Sequence, residues 1–159
     1  MIYRIRGLSP RHFTRQFAMT EAELEKRRAR MEIASPTGRF PCRVSLKDAA
    51  PGEELLLTHY TNHAVETPYR HAFAIYVRAA ADKAAEYVDV MPPILRKRPI
   101  ALRGYDGQGL LHRAALSIAD DVDTLARALL DDPQIAYIDA HNAMHGCFAA
   151  RIERYGDAA

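Results

Sequence analysis

The sequence predicts an α+β domain, a mostly antiparallel sheet with two or three short helices, in which a C-terminal helix is followed by a β-hairpin. Three observations indicate this class. Residues 136–153 alternate apolar and polar on both sides of one turn, which is typical of two half-buried strands. Val122, Leu125 and Leu129 form a helical stripe that ends before Pro133. The predicted strands follow one another through turns too short for parallel crossovers.

The apolar face of the C-terminal hairpin specifies its register. Ile138 is expected opposite Ile152, because a slip of one residue would turn one strand's apolar set out of the core. The same register places Asp139 across from Arg151, an opposite-charge pair worth roughly 0.2–1 kcal/mol. A three-residue loop over 144–146 then closes the hairpin, and its final glycine supplies a positive φ.

Capping, turn and alternation patterns predict the remaining elements. Short helices are expected at Pro10 with Ser9 as N-cap, over 21–28 behind a capping box of Thr20 and Glu23, and in the Ala-rich start of 79–93. Strands are expected over 3–8, 40–46, 54–61, 71–78, 100–105 and 110–118, the last two as a hairpin.

Length and composition set the class of protein. The 159 residues suit a single domain over 1–159, and 48% hydrophobic with 26% charged residues are ordinary globular values. The apolar runs are too short to span a membrane, and the N-terminus lacks the apolar core of a signal peptide. Two cysteines, Cys42 and Cys147, favour a reducing cytoplasm over a disulfide scaffold. A net charge of +2 and no tryptophan argue against a nucleic-acid partner.

Cys147 and His141 are the candidate catalytic pair. The predicted hairpin places them on one face near the turn, and a cysteine nucleophile needs a base within hydrogen-bond reach. The alternative is that Cys147 is a small apolar residue beside Phe148, which is how free cysteines usually behave.

A metal site would use His141, His145 and Cys147, with His59 or His71 as the fourth ligand. Zinc accepts nitrogen and sulfur ligands, but its sites usually show closely spaced pairs such as CxxC or HExxH, and neither is present. His145 is then a solvated turn residue. No metal ligand is therefore assigned, and the cofactor stays unassigned.

A set of arginines and tyrosines is the candidate ligand site. Arginine forks and tyrosine hydroxyls suit a carboxylate or phosphate, and the chain has 18 Arg against 4 Lys. The alternative is that these arginines form surface ion pairs, which contribute little. The candidate ligand-binding residues are Arg43, Tyr69, Arg70, Arg103, Tyr105 and Asn142.

Four runs of sequence carry a family resemblance: FPCRVSLKDAAPGE, TPYRHAFAIYVR, RPIALRGYDGQG and IDAHNAMHGCFAARIER. They resemble the bacterial proteins known as domain of unknown function 1203, in order along nearly the whole chain. One departure is Ala72-Phe73, where a Gly-Pro pair is expected. The resemblance implies the domain boundary and a bacterial cytoplasmic setting, and it carries no activity or catalytic residue to this chain.

The sequence thus predicts a small bacterial cytoplasmic domain that binds a polar or anionic small molecule. Whether it is an enzyme stays open. The alternative is a non-catalytic interaction or self-association module, in which an exposed edge strand forms a homodimer.

Overall fold

The computed structural model describes residues 1–156. The helices are α1 (Thr14–Phe17), α2 (Glu21–Glu25) and α3 (Val122–Leu130), with 3₁₀ turns at Pro10–His12 and Pro93–Leu95. The strands are β1 (Tyr3–Arg6), β2 (Ala29–Ile33), β3 (Glu54–His63), β4 (His71–Arg78), β5 (Glu86–Val88), β6 (Ile100–Tyr105), β7 (Leu111–Ser117), β8 (Tyr137–Asn142) and β9 (Phe148–Arg154).

The strands form two antiparallel sheets. The larger has the order β5-β1-β9-β8-β6-β7, and the smaller has the order β2-β3-β4. Together with α3 and the hairpin that follows it, these sheets confirm the predicted α+β class. Within residues 1–156, no helix combines the length and apolar composition that crossing a membrane requires.

Each sheet buries one face in its own apolar core. On the six-stranded sheet, Ile138, Ala140 and Ile152 pack with the inner stripe of α3, which includes Ala126 and Leu129. The three-stranded sheet packs Leu56, Ile75 and Val77 with Phe13 and Leu24 from the N-terminal segment. The residues that alternate with Ile138 and Ala140 therefore point to the other face of the large sheet.

The hairpin formed by β8 and β9 confirms the predicted register but not the predicted loop. Ile138 pairs with Ile152 and Asp139 with Arg151. A bulge then makes His141 pair with Phe148, so that one residue of β9 is left over. The hairpin closes with a loop over 143–146, because the Asn142 N–H donates to the Cys147 carbonyl at 3.0 Å. The predicted three-residue loop is therefore wrong, although its glycine does have a positive φ of 78°.

The strand predicted over 40–46 is wrong. Pro41 and Cys42 make only isolated bridges, and the chain then turns, with the Leu46 N–H donating to the Cys42 carbonyl at 3.0 Å. The Cys42 sulfur supports this turn by accepting N–H groups from Ser45 at 3.4 Å and Arg78 at 3.3 Å. Alternation alone cannot distinguish such a turn from a strand, and the turn in fact buries four consecutive residues, 41–44.

Two other predictions differ from the structure. No α-helix forms in 79–93, because the Ala85 backbone bonds Gly7 and Val44 in other segments, and β5 pairs with β1. The capping box of Thr20 and Glu23 is confirmed, but α2 ends at Glu25 and β2, which was not predicted, starts four residues later.

Candidate functional site

A cavity of about 450 Å³ lies where the hairpin loop meets the three-stranded sheet. The sheet contributes Leu57, Phe73, Ala74 and Tyr76, and the hairpin contributes Asn142, Met144, His145 and Cys147. Two connecting segments complete the wall with Arg39, Pro41, Arg43, Arg98 and Pro99. The wall thus combines three guanidinium groups with mainly apolar side chains.

Arg43 is the most deeply buried charged group of this cavity, with 1% of its surface exposed. Its Nε donates to the Phe148 carbonyl at 2.7 Å, its Nη1 donates to the Pro41 carbonyl, and its Nη2 donates to the Cys147 sulfur at 3.1 Å. Burial lowers the pKa of Arg43 below its ordinary value. No carboxylate of residues 1–156 forms an ion pair with this guanidinium.

The backbone fixes the position of Arg43. Its N–H donates to the Tyr76 carbonyl at 3.1 Å, and its carbonyl accepts the Leu8 N–H at 2.7 Å. These bonds tie the turn after Pro41 to β4 on one side and to the N-terminal segment on the other. They therefore fix the main-chain position from which the Arg43 side chain extends.

Cys147 lies beside Arg43 and is 8% exposed. Its sulfur accepts a second N–H, from the Asn142 side-chain nitrogen at 3.3 Å. Asn142 ends β8 and faces Cys147 across the loop, so the hairpin itself brings the amide to the sulfur. The Cys147 sulfur thus lies against two N–H donors, one of them cationic.

Arg98 and Arg39 lie in the same wall. Arg98 pairs with Asp48, and its side chain is only 10% exposed. Its Nε–H is buried and has no hydrogen-bond partner among the described residues. Arg39 is exposed, donates to the Lys97 carbonyl at 3.2 Å, and forms no ion pair within residues 1–156.

The predicted hydrogen bond between Cys147 and His141 does not form. The His141 Nδ1 lies 3.0 Å from the Gly146 carbonyl, and its Nε2 is buried without a partner among the described residues. The bulge is the cause, because it shifts His141 onto Phe148 and leaves Cys147 facing Asn142 instead. Burial first, and then the charge of Arg103, lowers the pKa of His141 to about 3. His141 is therefore neutral at pH 7. It also lies outside the cavity wall.

His141 belongs to a layer of polar side chains between the sheets, here called the polar layer: Asn62, His63, Asp139, His141 and Arg151. Asp139 is fully buried, and Arg151 donates to both of its oxygens, at 2.7 and 3.0 Å. His63 bridges the Tyr69 carbonyl and the Tyr137 hydroxyl, both at 2.8 Å. Asn62 links to Asp139 at 3.4 Å, so the layer joins β3 to β8.

The six predicted ligand-binding residues do not all lie together in the structure. Arg43 and Asn142 lie in the cavity wall with Cys147. Tyr105 is buried with its ring centre 4.0 Å from that of His63, and Arg103 influences His71 and His141 electrostatically from β6. Arg70 forms an exposed ion pair with Glu66 at 3.1 Å. Tyr69 is partly exposed, and its ring centre lies 6.3 Å from that of Tyr105.

Among residues 1–156, no three His, Cys, Asp or Glu side chains form a group suited to a metal ion. Of the residues considered as ligands in the sequence, His145 and Cys147 line the cavity, whereas His59, His71 and His141 do not. His145 is exposed in the loop.

Sequence reasoning missed several residues of the wall, chiefly Arg39, Phe73, Tyr76, Arg98 and Met144. No short motif marks them, because they come from four segments that only the fold brings together. The sequence gives no signal for Phe73 either, because it falls on the same side of its strand as Ile75 and Val77, and only the structure shows that it is exposed.

Comparison with known proteins identifies a family but no individual relative. No curated protein and no solved structure matches the chain. A family model described as "Protein of unknown function (DUF1203)" matches residues 39–154, a range that includes every residue of the cavity wall. Because this match covers more than half of the chain, the protein belongs to the DUF1203 family.

Proposed function

We propose that the cavity binds a small organic anion, a carboxylate or phosphate attached to an apolar body. We place this activity in the bacterial cytoplasm, where the two unpaired cysteines, Cys42 and Cys147, would stay reduced.

One observation carries the proposal: the buried guanidinium of Arg43 has no carboxylate partner among the described residues. A buried charge is costly unless it is paired, and an arginine stays protonated at neutral pH. Its three hydrogen bonds give each guanidinium nitrogen one partner, two carbonyls and a sulfur, but none of these partners is a carboxylate that would balance the charge. An anion in the cavity would supply the missing negative charge.

The wall indicates what the rest of the ligand looks like. Leu57, Phe73, Pro99 and Met144 give it apolar surface, and Arg39 places a second cation without an ion-pair partner near the entrance. A volume of about 450 Å³ lies within the range of small-molecule sites. The matching ligand has one or two acidic oxygens to accept arginine N–H groups and an aromatic or aliphatic body.

A thermal-shift comparison of benzoate with neutral benzamide tests this proposal. Benzoate is expected to raise the melting temperature by roughly 3–5 °C at tenfold its Kd, because ligand binding stabilises the native state. Benzamide, which has the same ring without the charge, is expected to give a much smaller shift.

The variant Arg39→Gln removes the exposed cation, and Arg15→Gln is its matched control, an exposed arginine outside the cavity. The benzoate shift is expected to fall in Arg39→Gln and to persist in Arg15→Gln. Equal shifts for benzoate and benzamide, or equal loss in both variants, would overturn the proposal.

A specific surface favours the alternative function, self-association. β7 is an edge strand of the large sheet, and its segment exposes Leu116 at 59% and Ile118 at 75%. Pairing with β7 of a second copy would satisfy its free backbone edge and cover these side chains. Light scattering over a concentration series tests it: a dimer that Leu116→Lys dissociates supports the idea, and a monomer at all concentrations removes it.

A further inference from the structure

We propose that the anion bound in this cavity is the C-terminal carboxylate of a peptide, whose last residues lie in extended conformation along the free edge of β4. The proposal rests on the anion site described above and narrows its ligand to one chemical class, peptide chain ends with an apolar last side chain. Such a ligand would use the arginines of the cavity and an unpaired stretch of backbone beside them.

The unpaired backbone belongs to Ala74, which lies in the cavity wall on β4, an edge strand of the small sheet. In an antiparallel ladder the N–H and C=O of one residue point the same way, alternately toward and away from the neighbouring strand. Ala74 pairs with His59, whose N–H donates at 3.2 Å to the Arg28 carbonyl on the far side of β3. The N–H and C=O of Ala74 therefore point off the sheet edge, and no group of residues 1–156 is hydrogen-bonded to them.

The next position of the same edge already pairs with another segment of the protein. Two residues along β4, the Tyr76 carbonyl accepts the Arg43 N–H at 3.1 Å, and Cys42 forms a parallel bridge with Tyr76. The edge of β4 thus accepts a parallel segment at Tyr76, and the equivalent position at Ala74 stays open. A peptide at that position would add a short strand to the sheet, which is a common mode of peptide recognition.

Charge decides which end of a peptide fits. The cavity wall contains Arg39, Arg43 and Arg98 and no aspartate or glutamate. Residues of a strand advance about 3.3 Å each, so the Tyr76 position that anchors the Arg43 backbone lies only ~7 Å beyond Ala74. A peptide that runs parallel to β4 past Ala74 directs its C-terminus toward these guanidinium groups. An N-terminus would instead bring a positive charge to a cationic wall.

The apolar part of the wall suits the last side chain of such a peptide. Phe73 and Met144 both line the cavity, yet 46% and 85% of their surfaces are exposed. Leu57 and Pro99 extend this apolar surface inward from the opening. An aromatic or aliphatic C-terminal side chain would cover these groups, and burial of apolar surface favours binding.

Titration calorimetry of the full chain with N-acetyl-Ala-Ala-Phe tests the proposal. In parallel pairing, the Ala74 N–H donates to the carbonyl of the first peptide alanine, and the Ala74 carbonyl accepts the N–H of the phenylalanine. A methyl group on the phenylalanine nitrogen is expected to weaken binding by about tenfold, because it removes this hydrogen bond and faces the Ala74 carbonyl. The matched control carries its methyl group on the second alanine nitrogen, which points away from β4, and is expected to bind within about twofold of the parent.

Two further measurements examine the carboxylate and the edge separately. The C-terminal carboxamide of the same peptide is expected to bind about tenfold more weakly, because it loses the charge that pairs with arginine. Hydrogen exchange at the Ala74 amide is expected to slow by about tenfold in saturating peptide, because this N–H becomes bonded. Saturating benzoate, which has no peptide group, is expected to leave that exchange rate nearly unchanged.

The outcomes distinguish this proposal from the anion site on which it rests. No binding of the peptide, equal affinity of the two N-methylated peptides, equal affinity of acid and carboxamide, or unchanged exchange at Ala74 would overturn it. A benzoate thermal shift in any of these cases leaves the anion site standing without a peptide ligand. If neither benzoate nor the peptide binds, the anion site itself is wrong.

Discussion

The polar layer and the cavity each contain an arginine between the sheets, partly exposed in the layer and fully buried in the cavity, and the two differ in whether a carboxylate balances the charge. In the polar layer, Arg151 donates two hydrogen bonds to the carboxylate of Asp139, and its charge is neutralised. In the cavity, Arg43 meets two carbonyls and a sulfur, and no carboxylate among residues 1–156 pairs with it. Both sites include residues of the hairpin formed by β8 and β9, so they are close neighbours in the fold.

We propose that this difference separates a structural role, in the polar layer, from a ligand-binding role, in the cavity. A buried ion pair that is fully hydrogen-bonded needs nothing else, and its members hold two elements together. A buried cation without a counter-charge can still pair with an anion, and burying it unpaired lowers the free energy of unfolding. On this view the polar layer holds β3 to β8, and the cavity is where a ligand binds.

The largest effect is expected from Asp139→Asn. This change leaves Arg151 without its carboxylate, and breaking a buried ion pair is strongly destabilising. Because Arg151 is one-third exposed, we expect a loss of about 2–3 kcal/mol in the free energy of unfolding, measured with urea. Glu86→Gln, in the exposed pair with Arg6, is the control and is expected to change it by under about 1 kcal/mol. Equal losses in both variants would contradict the structural role of the layer.

The second effect is a dependence of the free energy of unfolding on pH. His141 has a pKa of about 3 in the folded protein, against roughly 6.5 in an unfolded chain. The unfolded state therefore binds the additional proton, and the free energy of unfolding falls as the pH drops below about 6.5, by on the order of 1 kcal/mol per pH unit.

Urea titrations between pH 7 and pH 5 measure this slope. His141→Asn keeps a side-chain N–H for the Gly146 carbonyl and cannot titrate, so it is expected to flatten the slope. His71, whose pKa burial also lowers, leaves a smaller remaining dependence. A slope that is the same in wild type and His141→Asn would refute the buried, neutral histidine.

The hairpin shows how far sequence reasoning reaches. Ile138 opposite Ile152 and Asp139 opposite Arg151 were predictable, because period-2 alternation with one buried face permits a single register. The bulge beyond Ala140 was not, because nothing in the local pattern requires an additional residue there. That one bulge separates His141 from Cys147 and brings Asn142 to the sulfur instead.

The site was predictable only in part for a related reason. Arg43, Asn142 and Cys147 were chosen for their chemistry, and the fold brings these three together. Arg70 and Arg103 were chosen on the same grounds and lie elsewhere, because residue type does not specify which side chains converge. Arg98 carries no sequence signal at all, since its role depends on contacts with distant segments.

A third, smaller effect is expected from Arg43→Lys. Lysine keeps the positive charge but loses the fork that serves two carbonyls and a sulfur, so the change is not conservative. We expect the free energy of unfolding without ligand to fall by about 1 kcal/mol. The benzoate thermal shift is expected to drop by more than half. An unchanged shift would show that this guanidinium does not hold the anion.

The smallest effect is expected from Arg70→Gln. Arg70 pairs with Glu66 on the surface, and exposed pairs contribute about 0–1 kcal/mol. Both the free energy of unfolding and the benzoate shift are expected to stay near the wild-type values. A large loss of benzoate binding here would move the ligand site away from the cavity.

A ¹H–¹⁵N correlation titration with benzoate most directly tests the proposal that the anion binds in the cavity. Binding there is expected to give saturable shifts concentrated on the amides of Ala74, Asn142 and Cys147, with little change at His63 or Arg70. Shifts that do not saturate, or that centre on the polar layer or the surface around Arg70, would contradict it.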